Sequence, residues 1–172
     1  KLLRSPEEVK TVFDRLDGYL AARGAGAAVD SSMRRTPLTA HFIGREGTAF
    51  TRNDDLPAVE NLLATPGVDS IIPRDSELLW GPKDDAQGGV TGRELYVVKR
   101  EPEMTGGSIA SAVAQVGLES TNPGSWGVSM KMTPKGRADF SRVTGNNVGR
   151  RLAIVLDGTV SSAPNIRERI PS

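Results

Sequence analysis

Cysteine is missing from the 172 residues, and histidine occurs once, as His41. Disulfide frameworks, thiolate metal sites and cysteine catalysis are therefore excluded, and the common zinc ligand sets cannot be assembled. Aromatic residues are scarce at 5%, and neither sign of charge dominates: 22 Lys and Arg face 21 Asp and Glu, for a formal net charge of +1. A row of phosphates needs a basic excess that this chain does not have, which argues against a dedicated nucleic-acid binder. Long hydrophobic runs are lacking as well. The longest uncharged stretch, Met104 to Leu118, is too short and too rich in Gly, Ser, Ala and Gln to cross a bilayer. No signal-peptide pattern opens the chain.

What is present is a globular composition. Hydrophobic residues make up 37% and charged residues 25%, with both signs mixed. The length suits one domain or two small ones. Nineteen glycines and 11 prolines imply many turns and short elements. Lys1 in place of an initiator Met, and an end at Ser172, lead us to expect a piece of a longer chain.

Local patterns predict the elements. Ser5, Pro6 and Glu8 form an N-terminal helix signature, with Val9, Val12, Phe13, Leu16 and Leu20 at helical spacing behind it and Gly24 to end it. Residues 24–32 read as a loop. Leu38, Ala40 and Phe42 alternate with polar neighbours and predict a strand over 37–43, joined by a tight 44–47 connection to a strand at 48–52. Asp54 or Asp55 caps a short helix with Val59, Leu62 and Leu63 that stops before Pro66. Ile71-Ile72 and Leu78-Leu79-Trp80 predict short strands, and the charged, Gly-rich stretch 81–92 predicts a loop and a possible internal boundary. In the second half, 95–98 and 128–132 predict strands, 108–114 a short helix, and Thr133-Pro134 the start of a helix ending near Gly145. Residues 152–156 read as a central strand, and Asp157-Gly158 as a hairpin turn into 160–163. Helices and strands interleave without a βαβα rhythm. The expected class is α+β, with a mixed, largely antiparallel sheet packed on one side by helices.

The chemistry-bearing residues do not converge. His41 falls on the polar phase of its predicted strand, so a solvent-facing histidine is favoured over a triad member. Gly106-Gly107-Ser108-Ile109-Ala110 approaches a nucleophile elbow but ends in Ala and reads as a turn. Gly145 to Arg151 has an anion-friendly look, but a helix C-terminus followed by a turn accounts for it. Asp54-Asp55 and Asp84-Asp85 are sequence neighbours that point apart, and neither has EF-hand spacing. No phosphate-loop or dinucleotide motif occurs. No catalytic, cofactor or metal site is therefore expected. Trp126, in the 122–127 turn, is read first as buried against the sheet and second as a partner contact. Val128, Met130 and Met132 are read first as a core strand face and second as an adaptable apolar surface.

One block of sequence carries more than local pattern. Met132-Thr133-Pro134-Lys135-Gly136-Arg137-Ala138-Asp139-Phe140, then Val143-Thr144 and Asn147-Val148-Gly149, then Leu152-Ala153-Ile154-Val155-Leu156-Asp157-Gly158, then Val160-Ser161-Ser162-Ala163-Pro164 with Ile166 and Ile170, form a connected pattern. It closely resembles the SecD family of the bacterial protein-export machinery, over residues 128–170. The first 125 residues match more loosely, through Leu2-Leu3 ahead of a capped helix and Leu78-Leu79-Trp80-Gly81 before a polar segment.

The resemblance implies the head part of the first large periplasmic domain of an integral membrane protein, with the base subdomain and membrane helices elsewhere in the chain. It implies partnership with SecF and the SecYEG channel, membership of the resistance-nodulation-division superfamily, and proton-driven assistance to preprotein export. It implies a non-enzymatic domain without cofactors that grips unfolded preprotein or, alternatively, docks on SecF or the channel without touching substrate. Candidate peptide contacts are then Trp126, Met130, Gly88 and Gly89 in the 81–92 stretch. Ala163, Pro164 and Pro171 would form the hinge to the base.

Overall fold

The computed structural model describes residues 1–25, 34–44, 49–116, 124 and 126–171. The chain divides into two compact units. The first holds Lys1–Glu101 and Arg151–Pro164, and the second holds Pro102–Arg150 and Asn165–Ser172. Residues 81–92 lie inside the first unit.

The first unit opens with helix α1 (Pro6–Ala22). Ser5 caps it as expected: its hydroxyl accepts from Glu8 N, and the Glu8 carboxylate accepts from Ser5 N at 2.8 Å. The helix buries Val9, Val12, Phe13, Leu16 and Leu20. Strands β1 (Phe42–Ile43), β2 (Phe50–Arg52), β3 (Ser76–Trp80), β4 (Asp85–Gln87) and β5 (Val90–Lys99) form one antiparallel sheet among the described residues, in the order β1-β2-β5-β3 with β4 also on β5. Alternation along β5 sends Leu95 and Val97 to one face, where they meet α1 and the short helices α2 (Leu56–Leu63) and α3 (Val68–Ile71). Tyr96 and Val98 point to the other face and pack with Leu3, Ala153 and Val160. Val160 belongs to a second hairpin, β8 (Ile154–Leu156) and β9 (Thr159–Ser162).

The second unit is built from β6 (Ile109–Val116), β7 (Trp126–Met132) and helix α4 (Pro134–Asn146). Strands β6 and β7 pair antiparallel as a two-stranded ribbon. Thr133 caps α4 by accepting from Gly136 N at 3.0 Å. The buried stripe of α4 is Gly136, Ser141, Val143 and Thr144. Two of these hydroxyls hold the C-terminal segment: Ile170 N donates to Thr144 Oγ1 at 3.0 Å, and Arg169 Nε donates to Ser141 Oγ at 2.8 Å.

The α+β class and the antiparallel pairing agree with expectation, and helices do pack on one face of the main sheet. Five local expectations are corrected. The strand expected over 37–43 is a single turn of 3-10 helix, Thr39–His41, followed by the two residues of β1. Asp17 of α1 binds the backbone of Leu38 and Thr39, and this tertiary contact overrides the alternation. Ile71-Ile72 does not form a strand, because Ile71 ends α3. Short apolar runs carry no period that separates helix from strand. The stretch 81–92 is not a loop: it holds β4, the start of β5 and a turn at Gly88-Gly89, whose φ values of 58° and 81° match the two positive-φ positions of a type I′ hairpin. Residues 109–114 are strand rather than helix, since pairing with β7 supplies what Ala and Ser propensities do not. Residues 152–156 are not a central strand. Leu152 makes only an isolated bridge to Leu2, and the strand proper is 154–156, paired in a two-stranded hairpin with Leu156 61% exposed. Residues 45–47 of the tight connection, 26–32 of the expected loop, and 122, 123 and 125 of the expected turn lie outside the described residues.

Candidate functional site

The β6–β7 ribbon is the candidate site, and its register defines it. Ala112 opposes Met130, Ala114 opposes Val128, and Val116 opposes Trp126, so these positions share one face. Ser111 and Lys131, Val113 and Ser129, and Gln115 and Gly127 share the other. The first face is apolar throughout, and it is not buried. Every residue of β6 is exposed, Val128 is 61% exposed and Met130 42%. The expected core face of Val128 and Met130 is thereby corrected: they form an open apolar surface. Among the described residues no third strand or covering helix lies along the two-stranded ribbon to bury that face, and the sequence alternation alone does not tell a covered face from an open one. Position 126 lies on the same face, but the Trp126 side chain is outside the described residues.

The ribbon is fixed at its root. Thr133 N donates to Ser108 O at 3.0 Å. A Cβ on Gly136 would stand 2.3 Å from Ser108 O, so the first turn of α4 approaches the start of β6 as only glycine allows. The cap of α4 and the root of the ribbon are thus one small arrangement, encoded by Thr133 and Gly136.

The other expected site residues are placed differently. Gly88 and Gly89 form the β4–β5 turn of the first unit, whereas Met130 belongs to the second. Ala163 and Pro164 end the last segment of the first unit, and Pro171 belongs to the second. There the backbone is held: Arg151 Nε donates to Ala163 O at 3.0 Å, and Leu152 N donates to Pro164 O at 2.9 Å. Arg151 also stands 3.6 Å from the buried carboxylate of Glu94 and over the Tyr96 ring. Burial, reinforced by the Glu94 charge, pushes the Tyr96 hydroxyl up to about 12. This Glu94–Tyr96–Arg151 group, with Glu94 and Tyr96 buried and Arg151 part-exposed, was not legible in the sequence, because strand alternation and chain reversal together bring its members into contact. His41 is corrected as well. It lies on the 3-10 turn with its side chain only 14% exposed, and Nδ1 is 3.3 Å from Asp55. Asp55 therefore precedes α2 as expected but makes no side-chain cap.

An open cleft of about 480 Å³ lies in the first unit beside Leu63, Ile72, Leu78 and Trp80. Its acidic Glu77 is committed to Lys1 Nζ at 2.7 Å. Among the described residues no group of three metal-ligating side chains is found, and no helix is long and apolar enough to cross a membrane.

These features describe an α+β chain whose most distinctive surface is an open β-ribbon. Residues 82–172 match the family model described as SecDF, P1 head subdomain, and the chain belongs to that family. Its relatives are protein-translocase subunits. The chain is 40% identical over 114 residues to the protein translocase subunit SecD of Desulfurispirillum indicum, an alignment covering 66% of this chain and 22% of that protein. It is 39% identical over 148 residues to the SecD of Rhodothermus marinus, covering 80% of this chain and 22% of the relative. The chain thus spans about a fifth of the length of these relatives. A solved structure described as a membrane component SecDF that enhances protein export aligns over 97% of this chain and 77% of that one, at 22% identity and a TM-score of 0.38, too distant for any detail to be transferred. The family named by the 128–170 block is the family the whole comparison returns.

Proposed function

We propose that this chain is the periplasmic head of a SecD-type translocase subunit, and that its β6–β7 ribbon contacts unfolded polypeptide emerging from the Sec channel. The exposed apolar face of Ala112, Ala114, Val128 and Met130 carries the reading. An open apolar strand surface of this kind suits sequence-tolerant binding of an extended chain. Near-zero net charge supports the same role, since a strong field of one sign would bias the substrates accepted. The domain acts by binding and not by catalysis. SecF and the SecYEG channel are its assembly partners at the periplasmic side of the inner membrane. Coupling to the proton gradient belongs to membrane segments outside this chain.

A backbone-amide NMR titration with an unfolded preprotein segment tests the proposal. Shifts clustered on 109–116 and 126–132 are expected. Absence of shifts at millimolar peptide overturns it, and leaves a head that docks on SecF or the channel without holding substrate.

A further inference from the structure

Strand β6 is an edge with no protection. Its eight residues, Ile109 to Val116, include no charge and no proline, and all are exposed. Among the described residues no strand pairs with its outer side. Long, uncharged edges of this kind are what folded proteins ordinarily blunt with Lys, Pro or a bulge, because they template pairing with another chain. The opposite edge, β7, carries such a charge in Lys131. The irregularity in the pairing falls at Ile109–Ser111, the root, and leaves 111–116 regularly paired. The asymmetry singles out β6.

Resting on the polypeptide-binding reading above, we infer that the incoming chain adds to the outer edge of β6 as a third antiparallel or parallel strand, held by its backbone and not by the ribbon's face. The occupant is an extended, uncharged polypeptide segment. Ala112 and Ala114 are the nearest side chains on the apolar face, and their small size leaves room for large side chains at alternate positions of the guest. Backbone pairing explains how such a site accepts many sequences, since every residue but proline offers the same N–H and C=O. The size of the ribbon disfavours a second folded copy as occupant. Seven paired residues on two strands present a face of about 230 Å² in plan, against about 800 Å² per partner in a stable protein interface.

The test compares two synthetic eight-residue peptides of alternating Val and Thr, identical except that one is N-methylated on every backbone amide, so that neither of its edges can donate. Hydrogen exchange on the 172-residue chain is expected to slow at least tenfold at alternate amides of β6 with the unmodified peptide, and to stay unchanged across β7. The N-methylated peptide is expected to bind at least tenfold more weakly. Val113→Lys, which places a charge on the edge, is expected to weaken the unmodified peptide tenfold, while Ser129→Lys, its register partner on β7, keeps it. Equal binding of the two peptides overturns strand addition and leaves a face-on polypeptide contact standing. Binding of neither overturns both readings. Concentration-dependent self-association that is lost in Val113→Lys, with no peptide binding, identifies a second copy as the occupant and also overturns the inference.

Discussion

The buried carboxylate of Asp17, in the middle of α1, accepts a hydrogen bond from the backbone N–H of Leu38 at 2.7 Å and another from Thr39 N at 3.2 Å. The Thr39 hydroxyl donates to its second oxygen. An acid on the apolar stripe of a helix is otherwise costly. Here it organises the 3-10 turn that carries Leu38 into the core, where Leu38 is fully buried. Replacing Asp17 with Ala orphans two backbone donors at once. We expect a loss of about 2–4 kcal/mol, from hydrogen bonds to a charged acceptor and the desolvation of what remains. Asp17→Asn, which keeps one acceptor oxygen, should cost less. Urea unfolding curves of the two variants measure the difference, and equal losses would refute the assignment.

The close approach at the ribbon root gives a second expectation. Gly136→Ala puts a Cβ 2.3 Å from Ser108 O, which is backbone and cannot swing away. We expect about 1–3 kcal/mol of destabilisation or more, as for an overpacked core position. Gly106→Ala, with nothing within 4 Å of the added carbon, is the control and should be nearly neutral. Amide exchange in β6 and β7 should quicken in Gly136→Ala alone.

Charge on the ribbon separates binding from folding. Ala112→Lys with Ala114→Lys changes two exposed positions of β6. Stability should move by no more than about 1 kcal/mol, the usual range for exposed strand substitutions. Peptide-induced chemical shifts should vanish. Retained shifts at the same peptide concentration would move the contact off the ribbon.

Tyr96 makes an alkaline prediction. Its hydroxyl ionises near 12 in the folded protein, against about 10 in an unfolded chain, chiefly through burial and then through Glu94, with Arg151 opposing. A folded pKa above the unfolded one means that the contribution is complete below pH 10 and is lost as pH rises toward 12. Stability should therefore fall over that window, and Tyr96→Phe should fall less steeply. Tyrosinate absorbance should register one group ionising late in the folded protein. A Tyr96→Phe profile parallel to the parent's would contradict the assignment.

For the hinge we propose at Pro164, the ring would stiffen the backbone whose carbonyl accepts from Leu152 N. Pro164→Gly keeps the carbonyl that accepts this bond, so melting should change little. In the full-length protein, export should slow. Normal export together with normal melting would remove Pro164 from the hinge.

Local signals proved legible wherever the chain's own neighbours decide conformation. The Ser5–Glu8 capping box and the Thr133 cap act within one turn. The Asp157-Gly158 turn adopts φ values of 47° and 75°, as its residue types favour. Alternation in 95–98 is a local property too, and the 128–170 block identified the family. What the sequence by itself determined is therefore the caps at Ser5 and Thr133, the Asp157-Gly158 turn, the 95–98 part of the main β-strand, the α+β class and the kinship. The tertiary structure alone decided three things. Asp17 converted the Leu38–Phe42 alternation into a 3-10 turn from 21 residues away. Pairing with β7 made Ala- and Ser-rich 109–116 a strand. The absence of any covering layer along that ribbon, among the described residues, turned Val128 and Met130 from core candidates into surface. The physical reason is common to all three. Periodicity records which side chains share a face, but burial depends on what the rest of the fold lays against that face.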